Sequence, residues 1–140
     1  MKIDVKDIQV RYQETDMMGV VYHANYLVWF EIGRTSLIES FGFDYKDMED
    51  AGVVSPVTDV QVSFRSPVRY GDKVAVKTWI QAYTGVKTTY AYEVVHEDGT
   101  VAVTGTSDHV IVRKEDFRPT SLRKAFPAWH AVYKEAAGQH

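Results

Sequence analysis

The sequence predicts an α+β domain in which one long helix packs on an antiparallel sheet. Apolar residues recur at three- and four-residue spacing over about four turns, which is the period of an amphipathic helix. This stripe comprises Tyr26, Leu27, Phe30, Gly33, Leu37, Ile38 and Phe41. Alternating apolar and polar residues with turn signals between them then indicate strands joined by hairpins. A single helix with one apolar stripe has to bury it on one face of such a sheet.

The predicted elements follow one another without a repeat or a linker. Strands are expected over residues 3–12, 58–64, 73–83, 86–97 and 100–113. A loop to about residue 21 precedes the long helix, and a polar connection over 44–52 follows it. Asp98-Gly99 is a strong hairpin signal, and a last amphipathic helix is expected over 121–136. Residues 1–140 are therefore expected to form a single domain.

Composition excludes several classes of function. The formal net charge of −3 argues against nucleic acid as a partner, because phosphate backbones favour a strongly basic face. The sequence has no cysteine, which excludes disulfides and thiolate chemistry. The five histidines are scattered and no phosphate-binding glycine loop is present, so no metal and no cofactor are expected. The N-terminus has no apolar signal segment and no run is long enough to span a membrane, which favours the cytoplasm.

The loop before the long helix carries the most chemistry. Asp16, Gly19, His23 and Asn25 lie within ten residues of one another. The helix that follows supplies free backbone N–H groups and a partial positive field at its start, where a developing oxyanion would be stabilised. A carboxylate beside such a helix end suits acyl transfer. Taken alone, however, an Asp in this position is more often a turn or cap residue, and a lone His such as His23 is more often a structural or capping residue.

Three ordered segments carry a resemblance to a known family. They are residues 11–31 with Tyr22-His23-Ala24-Asn25-Tyr26 at their centre, residues 64–72 (Phe64-Arg65-Ser66-Pro67-Val68-Arg69-Tyr70-Gly71-Asp72), and residues 105–110 (Gly105-Thr106-Ser107-Asp108-His109-Val110). Together they resemble the hot-dog-fold acyl-CoA thioesterases of the 4-hydroxybenzoyl-CoA thioesterase type. The resemblance covers roughly residues 8–115.

The resemblance implies a role for each residue of the loop. Asp16 matches the family's catalytic carboxylate, which either attacks the thioester carbonyl or activates a water. His23 matches the position whose backbone N–H polarises the carbonyl oxygen. Gly19, Tyr22 and Asn25 are expected to bind substrate, and Asn25 also to organise the helix start. Met17-Met18 departs from the small residues that the family often has after the catalytic Asp, and Met18 is expected to contact the acyl group of the substrate. Glu14 is the rival acid, and Asp59 and Asp72 are further carboxylates with weaker claims.

The resemblance also implies the partners. The substrate is expected to be an acyl-CoA, with an acyl-carrier protein as the other candidate donor, and the working unit a homodimer or homotetramer with its site at the subunit interface. Five basic residues are candidates for the CoA phosphates: Arg65, Arg69, Lys87, Arg113 and Lys114. Two alternatives stay open at this point, a hot-dog dehydratase or hydratase that uses His23 as a base, and a module that binds acyl-CoA without hydrolysing it.

Overall fold

The computed structural model describes residues 2–138. Its strands are β1 (Asp4–Gln9), β2 (Val53–Val54), β3 (Val57–Phe64), β4 (Lys73–Tyr83), β5 (Lys87–His96), β6 (Val101–Val110) and β7 (Val112–Arg113). Its helices are α1 (Asn25–Ser40), α2 (Tyr45–Asp50), α3 (Leu122–Ala125) and α4 (Pro127–Ala136). Five strands form one antiparallel sheet in the order β1-β4-β5-β6-β3, and α1 lies across it. The predicted combination of a long helix with a sheet of five strands is confirmed.

The long helix is apolar on two sides. Its buried side consists of Tyr26, Trp29, Phe30, Gly33, Leu37 and Ile38. Leu27, which the predicted stripe includes, is 45% exposed, and Val28 and Ile32 on the same outer side are 43% and 38% exposed. Burying an apolar side chain is worth roughly 1.5–3 kcal/mol, so the inner side anchors α1 to the sheet while the outer side remains available for a further contact.

Two glycines allow α1 to approach the sheet closely. A Cβ added at Gly33 would lie 2.5 Å from Thr78 Oγ1 and 2.7 Å from Val76 Cγ1. A Cβ at Gly105 on β6 would lie 2.5 Å from Phe30 Cε2. The Phe30 ring itself is stacked on Tyr92, with ring centroids 4.3 Å apart. The sequence needs glycine at both positions because any larger residue would push the helix off the sheet.

We expect Gly105→Ala to destabilise the fold by about 1–2 kcal/mol, since overpacking a filled core is costly. The new methyl group would meet Phe30 on one side and the Gln61 carbonyl oxygen, 2.7 Å away, on the other. Urea unfolding followed by circular dichroism measures the loss. Thr106→Ala, at the next position of β6, is the matched control and should change the free energy of unfolding by less than about 0.5 kcal/mol. Equal stability of the two variants would contradict this account of the close approach.

Several predicted boundaries are wrong, each for a local reason. The connection over 44–52 contains α2, whose start is capped by the Asp44 side chain accepting from Lys46 N at 3.0 Å. The strand expected over 100–113 ends at Val110, and Val112–Arg113 pairs with β2 instead. Pro127 divides the last helix into α3 and α4 because proline supplies no N–H to continue the first one. The first strand ends at Gln9 instead of residue 12.

β3 forms one edge of the five-stranded sheet, and β1 forms the other. Within residues 2–138, no strand pairs with the β3 edge. Val57, Val60 and Phe64 on it are 50%, 38% and 56% exposed. An unpaired edge with apolar side chains is a surface that proteins normally cover. The β3 edge and the outer side of α1 are thus two exposed apolar surfaces of the described residues.

Candidate active site

The loop that carries Asp16 is a tight turn closed by a backbone bridge. Thr15 pairs with Val21 across the loop. Asp16 N donates to the Val20 carbonyl at 2.9 Å, and Gly19 N donates to the Asp16 carbonyl at 3.1 Å. Gly19 has a φ of +79°, a conformation that favours glycine, and a Cβ there would meet nothing within 4 Å. Gly19 is thus required by the turn, and the space beside it is open.

The Asp16 carboxylate is half-buried and only partly engaged. Its Oδ1 accepts the Met18 N–H at 2.8 Å, which fixes the side chain over the turn. Within residues 2–138, its Oδ2 accepts no hydrogen bond and no cation lies within salt-bridge distance. One oxygen therefore stays free to act as a base or a nucleophile.

Glu14 is the buried anchor of this loop. It lies in a short 3₁₀ turn, Tyr12–Glu14, and is only 4% exposed. Its carboxylate accepts from Arg11 N and from Trp29 Nε1, both at 2.8 Å. Burial raises the pKa of Glu14, but the hydrogen bonds from Arg11 and Trp29 outweigh it and hold the pKa below its ordinary value. The Trp29 contact holds the loop on α1 and the Arg11 contacts close the 3₁₀ turn, which gives Glu14 a positioning role.

The start of α1 lies directly behind the loop. Asn25 Nδ2 donates to the Glu14 carbonyl at 2.8 Å, and Tyr22 N donates to the same oxygen at 2.8 Å. The His23 and Ala24 backbone N–H groups have no acceptor within residues 2–138, and both residues are exposed. These two N–H groups can polarise a carbonyl oxygen, as the resemblance implies for His23. Asn25 organises the helix start, and its role in binding substrate stays a prediction.

Aromatic rings and two methionines surround the loop. The Tyr22 and His23 rings are 4.4 Å apart, and His23 lies edge-on to Phe64 at 6.4 Å. Met17 and Met18 on the loop are 103% and 80% exposed, so their side chains rest on nothing in this chain. A second apolar surface, from a substrate or another subunit, would be needed to cover them. The predicted contacts of Met18 and Tyr22 with substrate stay predictions.

The other carboxylates lie outside the loop. Asp72 Oδ2 accepts the Arg69 N–H at 2.8 Å and so closes a turn. Asp59 lies on β3 opposite Asp108. Neither contacts Asp16 in the described part of the chain.

The five candidate phosphate ligands divide into two groups. Lys87 pairs with Asp108 at 3.3 Å, Arg113 with Asp116 at 2.8 Å and Lys114 with Glu49 at 3.4 Å. Arg65 and Arg69 are exposed and have no carboxylate within 4.0 Å in residues 2–138. The backbone beside them joins the Asp16 loop, since Val20 forms a bridge with Arg69 and Val21 N donates to the Val68 carbonyl at 2.7 Å.

The sequence did not predict a group of buried polar side chains on the sheet, which consists of Tyr92, Ser107 and His109. His109 on β6 is 2% exposed, and burial lowers its pKa to about 4. Its Nε2 is 2.8 Å from Ser107 Oγ, which is 2.6 Å from the Tyr92 hydroxyl. The signal in the sequence is the period-two alternation of β6, which places Ser107 and His109 on the same face as the core residue Val103.

Asp16 does not line the depressions found in the surface of the described residues. One of about 800 Å³ is lined by residues of β1, β4 and β5 together with Tyr70 and Asp72. In residues 2–138 no helix is long and apolar enough to cross a membrane, and no three metal-binding side chains gather into a cluster.

The fold is that of a hot-dog domain, and comparisons with known proteins identify its class as thioester hydrolase. The model of the Thioesterase-like superfamily matches residues 10–130. The chain is 52% identical to the putative acyl-CoA thioesterase YneP of Bacillus subtilis over 97% of this chain and 99% of the relative. It is 26% identical to the acyl-CoA thioester hydrolase YbgC of Escherichia coli O6:H1 over 86% and 90% of the two chains.

A solved structure resembles the whole chain. The DHNA-CoA thioesterase from Staphylococcus aureus superposes with a TM-score of 0.95 at 40% identity, covering 99% of this chain and 93% of that one. The chain belongs to the Thioesterase-like superfamily. The predicted hot-dog fold and the predicted class of enzyme, a thioester hydrolase, are confirmed.

Proposed function

We propose that this protein hydrolyses the thioester of acyl-CoA molecules, with Asp16 as the reacting carboxylate. The observation that carries the proposal is the free Oδ2 of Asp16 in a turn held directly before the unpaired N–H groups of His23 and Ala24. A carboxylate and a pair of oxyanion donors are the two parts that acyl transfer to water requires. The relatives named above, which include an acyl-CoA thioester hydrolase, support the reaction class.

The proposed hydrolysis can follow either of two routes. As a general base, Asp16 takes a proton from water, the hydroxide adds to the thioester carbonyl, and the C–S bond breaks to release the CoA thiolate and the free acid. As a nucleophile, Asp16 forms an anhydride with the acyl group and releases the thiolate, and water then cleaves the anhydride. A single turnover in ¹⁸O-labelled water tests the nucleophilic route. If water attacks the Asp16 carbonyl of the anhydride, the label enters the Asp16 side chain, whereas the general-base route leaves that side chain unlabelled.

A thiol-release assay over a panel of esters tests the proposal. The panel comprises aliphatic acyl-CoAs of increasing length, benzoyl-CoA, 4-hydroxybenzoyl-CoA and an acyl-carrier protein ester. Release of thiol from at least one ester supports the hydrolase. Binding without release would favour the acyl-CoA-binding module. An enoyl-CoA is assayed separately, because hydration releases no thiol, and its hydration would favour the hydratase. Turnover of the carrier-protein ester alone would replace CoA as the donor. A cytoplasmic location is part of the same proposal.

Arg65 and Arg69 are proposed to bind the CoA phosphates, because they alone among the five candidates have no carboxylate partner in the described residues. Arg69→Ala should raise KM for an acyl-CoA about 5- to 20-fold with little change in kcat, since it removes binding shared by ground state and transition state. The increase should shrink at high salt because the interaction is ionic. Arg113→Ala is the matched control, and an equal rise in its KM would contradict the assignment.

The working unit is proposed to be a homodimer, or a tetramer built from it, in which β3 pairs with β3 of the partner. The exposed edge of β3 and the outer side of α1 are the two apolar surfaces that such an assembly would cover.

We expect light scattering to give a multiple of the chain mass of 15.9 kDa. Val60→Glu on the edge strand should shift the protein towards the monomer and lower activity at least about 10-fold. The introduced carboxylates of the two copies would lie close together at the paired edge and repel each other. Val5→Glu on β1, at the opposite edge, is the control. An active wild-type monomer would contradict the proposed assembly.

A further inference from the structure

Two neighbouring methionines in the Asp16 loop are open to solvent. Met17 is 103% exposed and Met18 is 80% exposed, whereas Met48 in α2 is 2% exposed. Methionine is among the residues that folded proteins most often bury completely, so two such side chains next to each other in water are unusual. The proposed reaction uses the Asp16 carboxylate and the start of α1, and it gives the two sulfur atoms no role.

The backbone of Met18 is tied to the reacting carboxylate. Met18 N donates to Asp16 Oδ1 at 2.8 Å. The hydrogen bond from Asp16 N to the Val20 carbonyl, at 2.9 Å, closes the same turn. Gly19 follows Met18, and a Cβ added there would meet nothing within 4 Å, so the space beside the turn is open. A chemical change in the Met18 side chain is therefore made beside Asp16 and next to open space.

Thioethers are the only sulfur groups of this chain. The sequence has four methionines and no cysteine, so an oxidant finds no thiol here. Hydrogen peroxide converts a thioether to a sulfoxide, and it reaches a sulfur atom in water more readily than one in a packed core. Met48 is buried, and Met1 lies outside the described residues. Within residues 2–138, oxidation by peroxide is thus directed to Met17 and Met18.

A sulfoxide at Met18 changes what the loop can contact. The side chain becomes polar, and its new oxygen is a hydrogen-bond acceptor. Burying such a group against an apolar acyl chain costs free energy, because no donor replaces the water that it loses. Met18 is the residue of the pair that is expected to contact the acyl group, so its oxidation is the one that weakens the binding of an apolar substrate.

We propose that Met17 and Met18 form a reversible oxidation site, and that conversion of Met18 to its sulfoxide by hydrogen peroxide lowers the rate of acyl-CoA hydrolysis. The effect on hydrolysis rests on the proposed thioesterase function, whereas the oxidation itself does not. The inference adds a modification site and a way in which peroxide controls the Asp16 loop.

Oxidation and its reversal are each two-electron steps. The Met18 sulfur attacks one oxygen of hydrogen peroxide, an S–O bond forms as the O–O bond breaks, and the other oxygen leaves as water after a proton shift. Sulfur is oxidised by two electrons and peroxide is reduced. A methionine sulfoxide reductase removes the oxygen as water with two electrons from a dithiol, which becomes a disulfide.

Peptide mass spectrometry after timed exposure to hydrogen peroxide tests the site itself. Trypsin places Met48 in a different peptide from Met17 and Met18. In the wild-type protein, Met17 and Met18 should each gain one oxygen at least about 10-fold faster than Met48. Comparable rates for all three residues, or resistance of Met17 and Met18 because another subunit covers them, would overturn the proposal.

Thiol release before and after oxidation identifies the residue that matters. Peroxide is removed with catalase, and each variant is compared with its own untreated sample. Wild type, Met17→Leu and Met48→Leu should each lose about 5- to 20-fold in kcat/KM for the best aliphatic ester, because Met18 is still oxidised. Met18→Leu, whose side chain stays apolar and cannot form a sulfoxide, should lose less than about 2-fold. An equal loss in Met18→Leu would overturn the role of Met18.

Repair of the oxidised protein shows whether the sulfoxide causes the loss. The two stereospecific methionine sulfoxide reductases, with dithiothreitol as the dithiol, should remove the added oxygen and recover at least about half of the lost activity. Recovery of the mass without recovery of the activity would assign the loss to other damage and overturn the proposal.

Failure of this inference and failure of the proposed reaction give different results. Absence of thiol release from every ester would overturn the reaction, while the mass measurement would still decide whether Met17 and Met18 are oxidised. The effect on the substrate is then measured as binding of an aliphatic acyl-CoA to the Asp16→Asn variant. Its oxidised form should bind at least about 3-fold more weakly than its reduced form, and equal binding would overturn the role of Met18.

Discussion

Asp16→Asn is expected to lower kcat for the best acyl-CoA ester about 1,000-fold, within the range that general-base or nucleophilic carboxylates supply. The amide keeps the shape of the side chain, and its oxygen can still accept the Met18 N–H that the Asp16 Oδ1 accepts at 2.8 Å. The turn should therefore persist while the free oxygen loses its basicity. Stopped-flow or steady-state thiol release measures the rate, and equilibrium binding of the ester shows that the site is intact.

Two further variants show whether the loss of activity is specific to Asp16. Asp59→Asn removes a carboxylate on β3 and should leave the rate within about 2-fold of the wild type. His23→Ala should lower kcat by about 10-fold or less, because the proposed contribution of His23 is its backbone N–H. An active Asp16→Asn enzyme would remove the central proposal. A loss in His23→Ala as large as in Asp16→Asn would show that the imidazole itself transfers a proton.

The sequence predicted those elements whose signal is local and repeated. The period of α1 and the alternation of β3, β4, β5 and β6 are set by which face each residue buries, so they are visible without the fold. The helix α2 was missed because it has only six residues, four of them charged, and one buried side chain, Met48. The break after Val110 depends on pairing with β2, sixty residues earlier, and long-range pairing leaves no local pattern.

The site shows the same division between local and distant causes. The turn at Asp16 and Gly19 could be predicted because its hydrogen bonds join neighbouring residues. The burial of Glu14 could not, because its partner Trp29 lies a full turn inside α1 and the carboxylate and indole meet only after the loop folds back. A cavity of about 230 Å³ lined by residues from Glu31 to His109 depends on α1, β5 and β6 together, so its residues are scattered over almost eighty positions.

His109 is expected to make the protein less stable in mild acid. Burial, together with the smaller effect of the charge of Arg34, lowers its pKa to about 4 in the folded state, against opposing effects of Ser55 and Asp108. The unfolded chain has the ordinary histidine pKa of about 6.5, so it binds the proton first as the pH falls. The contribution of His109 to stability is therefore complete above about pH 6.5 and is lost as the pH falls towards about 4.

The loss from this one residue is about 3 kcal/mol over the whole interval, since each pKa unit corresponds to about 1.4 kcal/mol. Urea unfolding at about pH 7 and about pH 4.5 captures most of it. His109→Gln can still accept from Ser107, does not titrate, and should lose about 2 kcal/mol less than the wild type between these two conditions. His23→Gln, at an exposed histidine, should keep the wild-type dependence. If His109→Gln also kept it, protonation of His109 would not be what destabilises the fold, and the hydrogen bonds that join His109, Ser107 and Tyr92 would have to tolerate a charged imidazole.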